Sequence, residues 1–478
     1  MMPVVVIPPG RNHTVSEYVA RPLHRRLLSI VAGLAVVPVA LTGCGIGSGA
    51  GADADAAAMA GSCELSEAVT NDEPITGEPS GEITFQTTAL KQSFSPYFED
   101  LIAAFEEKYP DVTVTWQDDP GDAEFTQRLV TDAQGCELPD VVNLNQTTAY
   151  ALYRENFLLN LSTKAPDVGD EFIPSVWDSL LFPGSDEHYV MPWYWGLGGL
   201  QTYNTELMEQ VGLDPSAPPT TVMDQFDMAE TVAEKSDGQF YAFTASPTQR
   251  VPSDWQLMDA QIMNDDETEF TFADDPKILE WLQRYAELYD AGALPKDTLS
   301  TDVDVTQLYS AGDVVWGSTN ASFMRYVQET NPATYEVTGV SSLLDARGEA
   351  FQEGQLIAVP STSDNPVAAL AFAEFLLSPE WQTTFVSDER ISNFPSTTES
   401  LDIPKFTEIS ADTPLGAANK LSVELAPDAT NSFIYNWSDS VNSAVLSELQ
   451  LAIAGSKDPA QALADAQDAA NGILADQG

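Results

Sequence analysis

The sequence predicts an α/β protein assembled from two regions in which strands and helices alternate. Three observations carry that expectation. Short apolar or alternating runs recur between helical patterns with one apolar face. Helix starts and stops fall at Ser, Thr, Asp, Pro and Gly, and neighbouring short strands are separated by enough chain for crossover helices. The first strand is read at Ile83, Thr84 and Phe85. Ser95 with Pro96 opens a helix whose Phe98, Leu101, Ile102 and Phe105 share a face, and Pro110 stops the segment. Val112, Val114 and Trp116 alternate as a second strand. Asp122 is placed to cap a helix carrying Phe125, Leu129 and Val130, Gly135 ends it, and 141–144 is a third strand. Strand, helix, strand, helix, strand implies a mostly parallel sheet covered on both faces. Such a sheet binds at the carboxyl ends of its strands, which singles out the loops 87–93 and 145–148.

The second region repeats the pattern. Thr220 or Thr221 starts a helix through Lys235, 240–243 reads as a strand, Asp274 with Pro276 opens a helix to about Tyr289, and 314–316 is another strand. Later come a strand at 355–359, an apolar helix at 368–377, and helices at 438–454 and 459–475.

The chain has 478 residues, 43% apolar, enough for more than one sizeable core. Lys and Arg total 20 against 73 Asp and Glu. Such a surface repels phosphate backbones and anionic headgroups, so nucleic-acid binding is excluded as a reading, and the acidity fits an exposed, soluble protein.

Residues 1–43 read as an export signal: a basic patch at Arg21, His24, Arg25 and Arg26, then an apolar run from Leu27 to Ala40 too short to span a membrane comfortably. It ends in Leu41, Thr42, Gly43, Cys44, which resembles the lipobox of bacterial lipoproteins, with Cys44 as the lipidated residue. Removing 1–43 would leave 16 bases against 72 acids. Residues 44–80, rich in Gly, Ala, Ser, Asp and Pro, are expected to be a flexible tether. Cys63 and Cys136 are then either a disulfide, as an oxidising exterior permits, or two separate buried thiols.

Several segments, in order, resemble the sugar-type extracellular solute-binding proteins of ABC importers, the maltose-binding-like group. They are Phe105 to Pro110 before the strand at 112–114; Pro139, Asp140, Val141, Val142; and Met191 to Gly196 followed by Tyr203, Asn204, Thr205, Glu206, Leu207. Further on come Pro218, Pro219, Thr220, Thr221, then Ser310 to Val315, 368–381, and Asp458 to Leu463. Two departures stand out: Trp316 beside Gly317 where that group has a small or glycine-rich segment, and Asn156 where glycine is usual. The resemblance implies a periplasmic-binding-protein-like fold: two α/β lobes joined by a hinge, closing on a ligand in the cleft between them. Lobe one would be 81–192 with 352–402, and lobe two 193–351 with 403–478. It further implies an ABC permease as partner, a lipid anchor facing the exterior, a monomeric state, and no cofactor.

A sugar presents flat C–H faces and a ring of hydroxyls, so its site needs aromatic platforms beside amides, hydroxyls and carboxylates. Trp193 and Trp195 flank Tyr194 at the expected crossing and are either a stacking wall or hinge packing. Trp255 at a helix start, Trp316 at a strand end and Trp437 before a late helix are cleft candidates that could equally be core; Trp281 reads as core. Thr88, Lys91, Asn145, Gln146, Ser318 and Asn320 lie in or near strand-end loops and could hold hydroxyls or serve as caps and turns. Lys91 in the cleft would make an acidic sugar conceivable. Two rivals remain: the same fold holding a polyamine or iron, and a glycosidase with paired carboxylates. Of the three histidines only His188 follows residue 43, and no nucleophile elbow, phosphate loop or paired-histidine motif occurs.

Overall fold

The computed structural model describes residues 59–476 apart from 122, 123, 265, 301–304, 319, 320, 389, 390, 392 and 430–432. The expected export signal, Cys44, Asp122 and Asn320 lie outside the described residues. Everything described belongs to one compact unit of the chain.

The described chain opens with a small hairpin, β1 (Met59–Ala60) and β2 (Cys63–Glu64), and a helical turn at Glu67–Thr70. This stretch was expected to be tether, and the structure corrects that from Met59 onward. Ala60 and Cys63 are buried, Leu65, Val69 and Ile75 pack on the body, and a disulfide joins Cys63 to Cys136. Buried Lys164 donates to the backbone carbonyls of Asn71 and Glu73 and to the Asn71 side chain, holding the segment along its length. Apolar residues too sparse to form a core of their own are enough to dock on an existing one.

Next come β3 (Gly81–Thr88), α1 (Lys91–Lys108), β4 (Val112–Asp119), α2 (Phe125–Gln134), β5 (Val141–Leu144) and α3 (Gln146–Arg154). The helix expected from Ser95 begins earlier, at Lys91, and runs through Pro96 with a kink at Phe94. Phe94 leaves the helical conformation, so Ser95 and Pro96 begin a second stretch and the proline falls in its first turn, whose N–H groups lack helical partners anyway. The chain continues through β6 (Met191–Leu197) into β7 (Leu200–Asn204), α4 (Val222–Lys235), α5 (Ser253–Leu257) and α6 (Pro276–Ala291). Thr221 caps α4 by accepting from Asp224 N, and Gly292 at φ 80° closes α6 in the left-handed conformation that glycine tolerates. After β8 (Trp316–Ser318) and β9 (Thr338–Ser342), the chain returns in β10 (Gln352–Ala358), α7 (Pro366–Leu376), α8 (Pro379–Ser387) and β11 (Phe394–Pro395). It finishes with α9 (Pro414–Leu425), α10 (Asp439–Ile453) and α11 (Pro459–Asp476).

Two sheets organise these elements: a six-stranded one in the order β11-β6-β10-β5-β3-β4 and a three-stranded one in the order β8-β7-β9. The first was expected to be mostly parallel, yet β10 and β11 run against the others. Connectivity explains it. β6 leaves the sheet at its carboxyl end, and the chain comes back from the second sheet at that same edge, so β10 must start there and run the opposite way. The expected strand at 240–243 is reduced to a bridge between Tyr241 and Val314, with Ala242 O accepting from Val315 N and Trp316 N. Each sheet has its own core. Phe85, Phe98, Phe105, Trp193 and Phe372 anchor the first; Phe226, Trp255, Trp281 and Tyr285 anchor the second.

Candidate functional site

The two sheets are linked where the chain crosses between them. β6 stays in the first sheet through Leu197, so the first crossing is Gly198–Gly199, later than the expected position near Trp193. The return is 343–351, between β9 and β10. These crossings pack tightly. A Cβ on Gly198 would stand 2.0 Å from the Phe351 ring, and one on Gly199, whose φ is +83°, would meet Leu343 O at 2.6 Å. Only glycine fits both positions.

A run of three cavities starts at this crossing. The inner one, ≈ 260 Å³, is lined by Gly198, Gly199 and Phe351 from the crossings, by Glu353 of β10, and by Gln201, Gln225, Phe243, Arg250, Asp254 and Trp316 from the second half. The middle one, also ≈ 260 Å³, shares Ser253, Phe351 and Glu353 with it and adds Thr147, Phe433, Trp437 and Asp439. The outer one, ≈ 490 Å³, shares Thr147 and Asp439 with the middle and lies between α2 and α3 of the first half and Tyr435–Ser440.

The inner cavity is a polar site built on an apolar frame. Asp254 Oδ2 accepts from Arg250 Nε at 2.8 Å and from Trp281 Nε1 at 2.9 Å. The Arg250 guanidinium lies 4.4 Å from the centre of the Phe243 ring and 5.3 Å from that of Phe226. Burial holds the Asp254 carboxyl above its ordinary range, and Arg250 only partly offsets this. Gln225 donates to Gln201 Oε1, and Gln201 donates on to Pro219 O. Three residues lining this cavity carry a buried polar atom with no partner among the described residues: Gln225 Oε1, Arg250 Nη2 and Trp316 Nε1. An unmet buried donor or acceptor costs about 1–3 kcal/mol, so such a concentration around one cavity marks a place where something else completes the bonds.

Of the residues singled out from sequence, Trp316 lines the inner cavity and Trp437 the middle one, where its Nε1 donates to Asn442 Oδ1 at 3.1 Å. Ser318 closes β8 opposite Gln201. The others sit elsewhere, for identifiable reasons. Trp193 is core, stacked on Phe385 and edge-on to Phe98; Trp195 packs on Phe394 and donates to Pro395 O. Trp255 is fully buried among Phe272, Trp281 and Trp437. Lys91 is spent on β4, donating to Trp116 O and lying 4.6 Å from the centre of the Trp116 ring, which removes the basis for an acidic sugar. Asn145 caps α3 by accepting from Thr148 N, Gln146 is buried beside it, and Thr88 ends β3 with its hydroxyl unpartnered among the described residues. Sequence reading missed Gln201, Gln225, Arg250, Asp254, Glu353, Asp439 and Thr147. The spacing of Arg250 and Asp254, one helical turn apart at a helix start, was the one available signal for any of them.

A family model described as bacterial extracellular solute-binding protein matches residues 100–414. The chain belongs to the bacterial extracellular solute-binding proteins. No curated protein matches it by sequence. Among solved structures, a protein from Synechococcus sp. MITs9220 provisionally designated an oligosaccharide periplasmic-binding protein superposes with a TM-score of 0.71 at 24% identity, over 82% of this chain and 99% of its own. The sugar-binding protein MalE of Xanthomonas citri gives 0.67 at 18% identity, over 83% and 98%. The GacH receptor of Streptomyces glaucescens GLA.O, solved unliganded and with acarbose, gives 0.64 at 19%, over 83% and 99%. At these identities the likenesses establish the fold: this solute-binding protein has the periplasmic-binding-protein-like architecture expected from its sequence. Among the described residues, no helix is long and apolar enough to cross a membrane, and no group of His, Cys, Asp and Glu is placed to hold a metal ion.

Proposed function

We propose that this solute-binding protein captures a sugar in the run of cavities at its crossings and presents it, in a closed form, to an ABC permease. The observation that carries the reading is the inner cavity. Aromatic side chains of Phe243, Trp316 and Phe351 surround donors and acceptors of both kinds, several of them buried and unmet among the described residues, at a place that both crossings touch. A hydroxylated ring supplies both donors and acceptors and offers an apolar face to the aromatics. The family and the sugar-binding neighbours point the same way.

In this reading the two sheets are the cores of two lobes. Residues 81–197 with 352–402 form one, and 200–342 with 403–478 form the other. Ligand contacts to both lobes favour the closed form, and a micromolar affinity corresponds to about −8 kcal/mol net of closure. No covalent step is required. Cys44 carries the lipid that holds the monomer on the outer face of the cell membrane, and the disulfide-pinned hairpin at 59–64 fixes where the body begins beyond the tether.

A thermal-shift screen over mono- and oligosaccharides, with the sugar recovered and sized afterwards, tests the proposal. A ligand-dependent rise in Tm with the sugar intact supports it. No shift with any sugar, or shortened products at each incubation, sinks it.

A further inference from the structure

Resting on the sugar reading, we infer that Gln225 recognises a donating hydroxyl on the innermost sugar unit, and that Gln201 positions it by fixing which end of its amide faces the ligand. The polarity is set at a backbone carbonyl. Pro219 O can only accept, and Gln201 Nε2 donates to it at 3.2 Å. With its nitrogen committed there, Gln201 turns Oε1 toward Gln225, which must answer with Nε2. Gln225 Oε1 is the end left over. The orientation of both amides therefore follows from the network and not from a choice between two look-alike ends. The starting point is itself held. Pro218 and Pro219 restrict the backbone, and Thr220 O, the next carbonyl, accepts from Leu344 N of the return crossing at 2.7 Å.

Gln225 is 2% exposed and Gln201 5%, and both line the inner cavity. The relay thus brings to that cavity's wall a buried acceptor with no partner among the described residues. Two more residues of the same lining carry an unmet group, Arg250 Nη2 and Trp316 Nε1, and both can only donate. Asp254 takes Arg250 through Nε at 2.8 Å, which balances the guanidinium's charge. Trp316 pairs with Tyr203 across β7 and β8, on the sheet face that also carries Gln201. A unit that meets all three groups brings one donor and two acceptors and no net charge, and ring hydroxyls supply both kinds. Fluorine in place of the hydroxyl at Gln225 cannot donate, so two acceptors would face each other. A site built to bond a hydroxyl rejects the analogue lacking it, because its own buried group stays unpaired.

Calorimetry on the whole soluble body tests this. The probe is whichever of the glucose, galactose, mannose and xylose sugars, one to four units long, raises Tm most, together with analogues carrying fluorine in place of one hydroxyl of an end unit. In the wild type one analogue should bind at least about 10-fold more weakly than the parent. Q225M, equal in length and lacking the amide, should bring that ratio close to one. Its ligand-free Tm should hold, because Gln201 Oε1 replaces Gln225 Oε1 as the unmet acceptor of the relay. Q201M lets the Gln225 amide present either end, so the ratio should shrink while the parent sugar still binds. Every analogue binding within about threefold of the parent overturns the inference with no variant needed. A ratio that survives in Q225M overturns it too, as does a Q225M chain that unfolds, which would make Gln225 structural; all three leave the sugar reading intact. An unchanged ratio in Q201M overturns the positioning role alone. Silence of the wild type with the whole panel overturns the sugar reading, and the inference with it.

Discussion

The half built on the three-stranded sheet and the half built on the six-stranded sheet bring different surfaces to the same cavities. The former presents a pre-built polar floor with a few unmet groups: Asp254 clamped by Arg250 and Trp281, and Gln225 braced by Gln201 through its Nε2 only. The latter presents strand ends and helix starts whose polar groups already serve the local backbone, as Asn145 serves Thr148 N, or whose side chains are turned to other work, as Lys91 is on Trp116. From that side Leu197 of β6, Gln352 and Glu353 of β10, Thr147 of α3 and the outer-cavity faces of α2 and α3 reach the run of cavities. The lesson is an asymmetry of roles. On the proposed function, specific recognition is prepared on one half, and the other half with the crossings supplies the facing walls.

The contrast can be broken most forcefully at Asp254. D254A strands a buried guanidinium and the Trp281 N–H, and should cost about 3–5 kcal/mol of stability by denaturant unfolding. A loss under 1 kcal/mol would mean the floor is not a pre-built network. In the six-stranded half the comparable fixture is covalent. C63S with C136S removes a cross-link spanning 73 residues and should cost about 2–4 kcal/mol, read as a lower Tm, without altering ligand selectivity.

At the crossing, G199A sets a Cβ against the Leu343 carbonyl in a left-handed backbone, which should cost about 1–3 kcal/mol and shift ligand affinity as well as Tm. An effect on Tm alone would make the crossing a spacer rather than a hinge.

Acidity offers a broader probe. Burial raises the carboxyls of Asp132, Asp254, Glu267, Glu353, Glu374 and Asp439, while Asp214, Asp345 and Asp465 lie below their ordinary values. A raised carboxyl keeps its proton in the folded chain at a pH where the unfolded chain has lost it. Stability therefore falls as pH rises through that window, just above the ordinary carboxylate range. The ligand-free Tm should climb as pH is lowered from neutral toward the ordinary carboxylate range, then drop below that range as the lowered groups protonate. A monotonic fall from pH 7 downward would contradict the burial of these acids. Smallest of all, T88A removes a buried hydroxyl that has no partner among the described residues and should change stability by less than about 0.5 kcal/mol.

Much of the fold could be read from the sequence because it depends on periodicity and caps, which are local. The helices opened by Thr221, by Pro276 after its Asp275 cap, and by Ser438 sit within a residue or so of where their caps place them. The direction of β10 could not be read that way, because it follows from where the chain returns rather than from its own residues. The site was less legible. A tryptophan announces a large aromatic but not which side of a sheet it faces: Trp316 and Trp437 line cavities, while Trp193 and Trp255 fill cores. In a chain with 73 acids nothing local distinguishes Glu353 or Asp439, which come to line one cavity because elements distant in sequence meet there.

Small-angle scattering of the soluble body, with and without saturating sugar, tests capture by closure most directly. The account predicts a smaller radius of gyration on binding, with the sugar recovered unchanged. An unaltered radius with tight binding, or a sugar recovered in pieces, would contradict it.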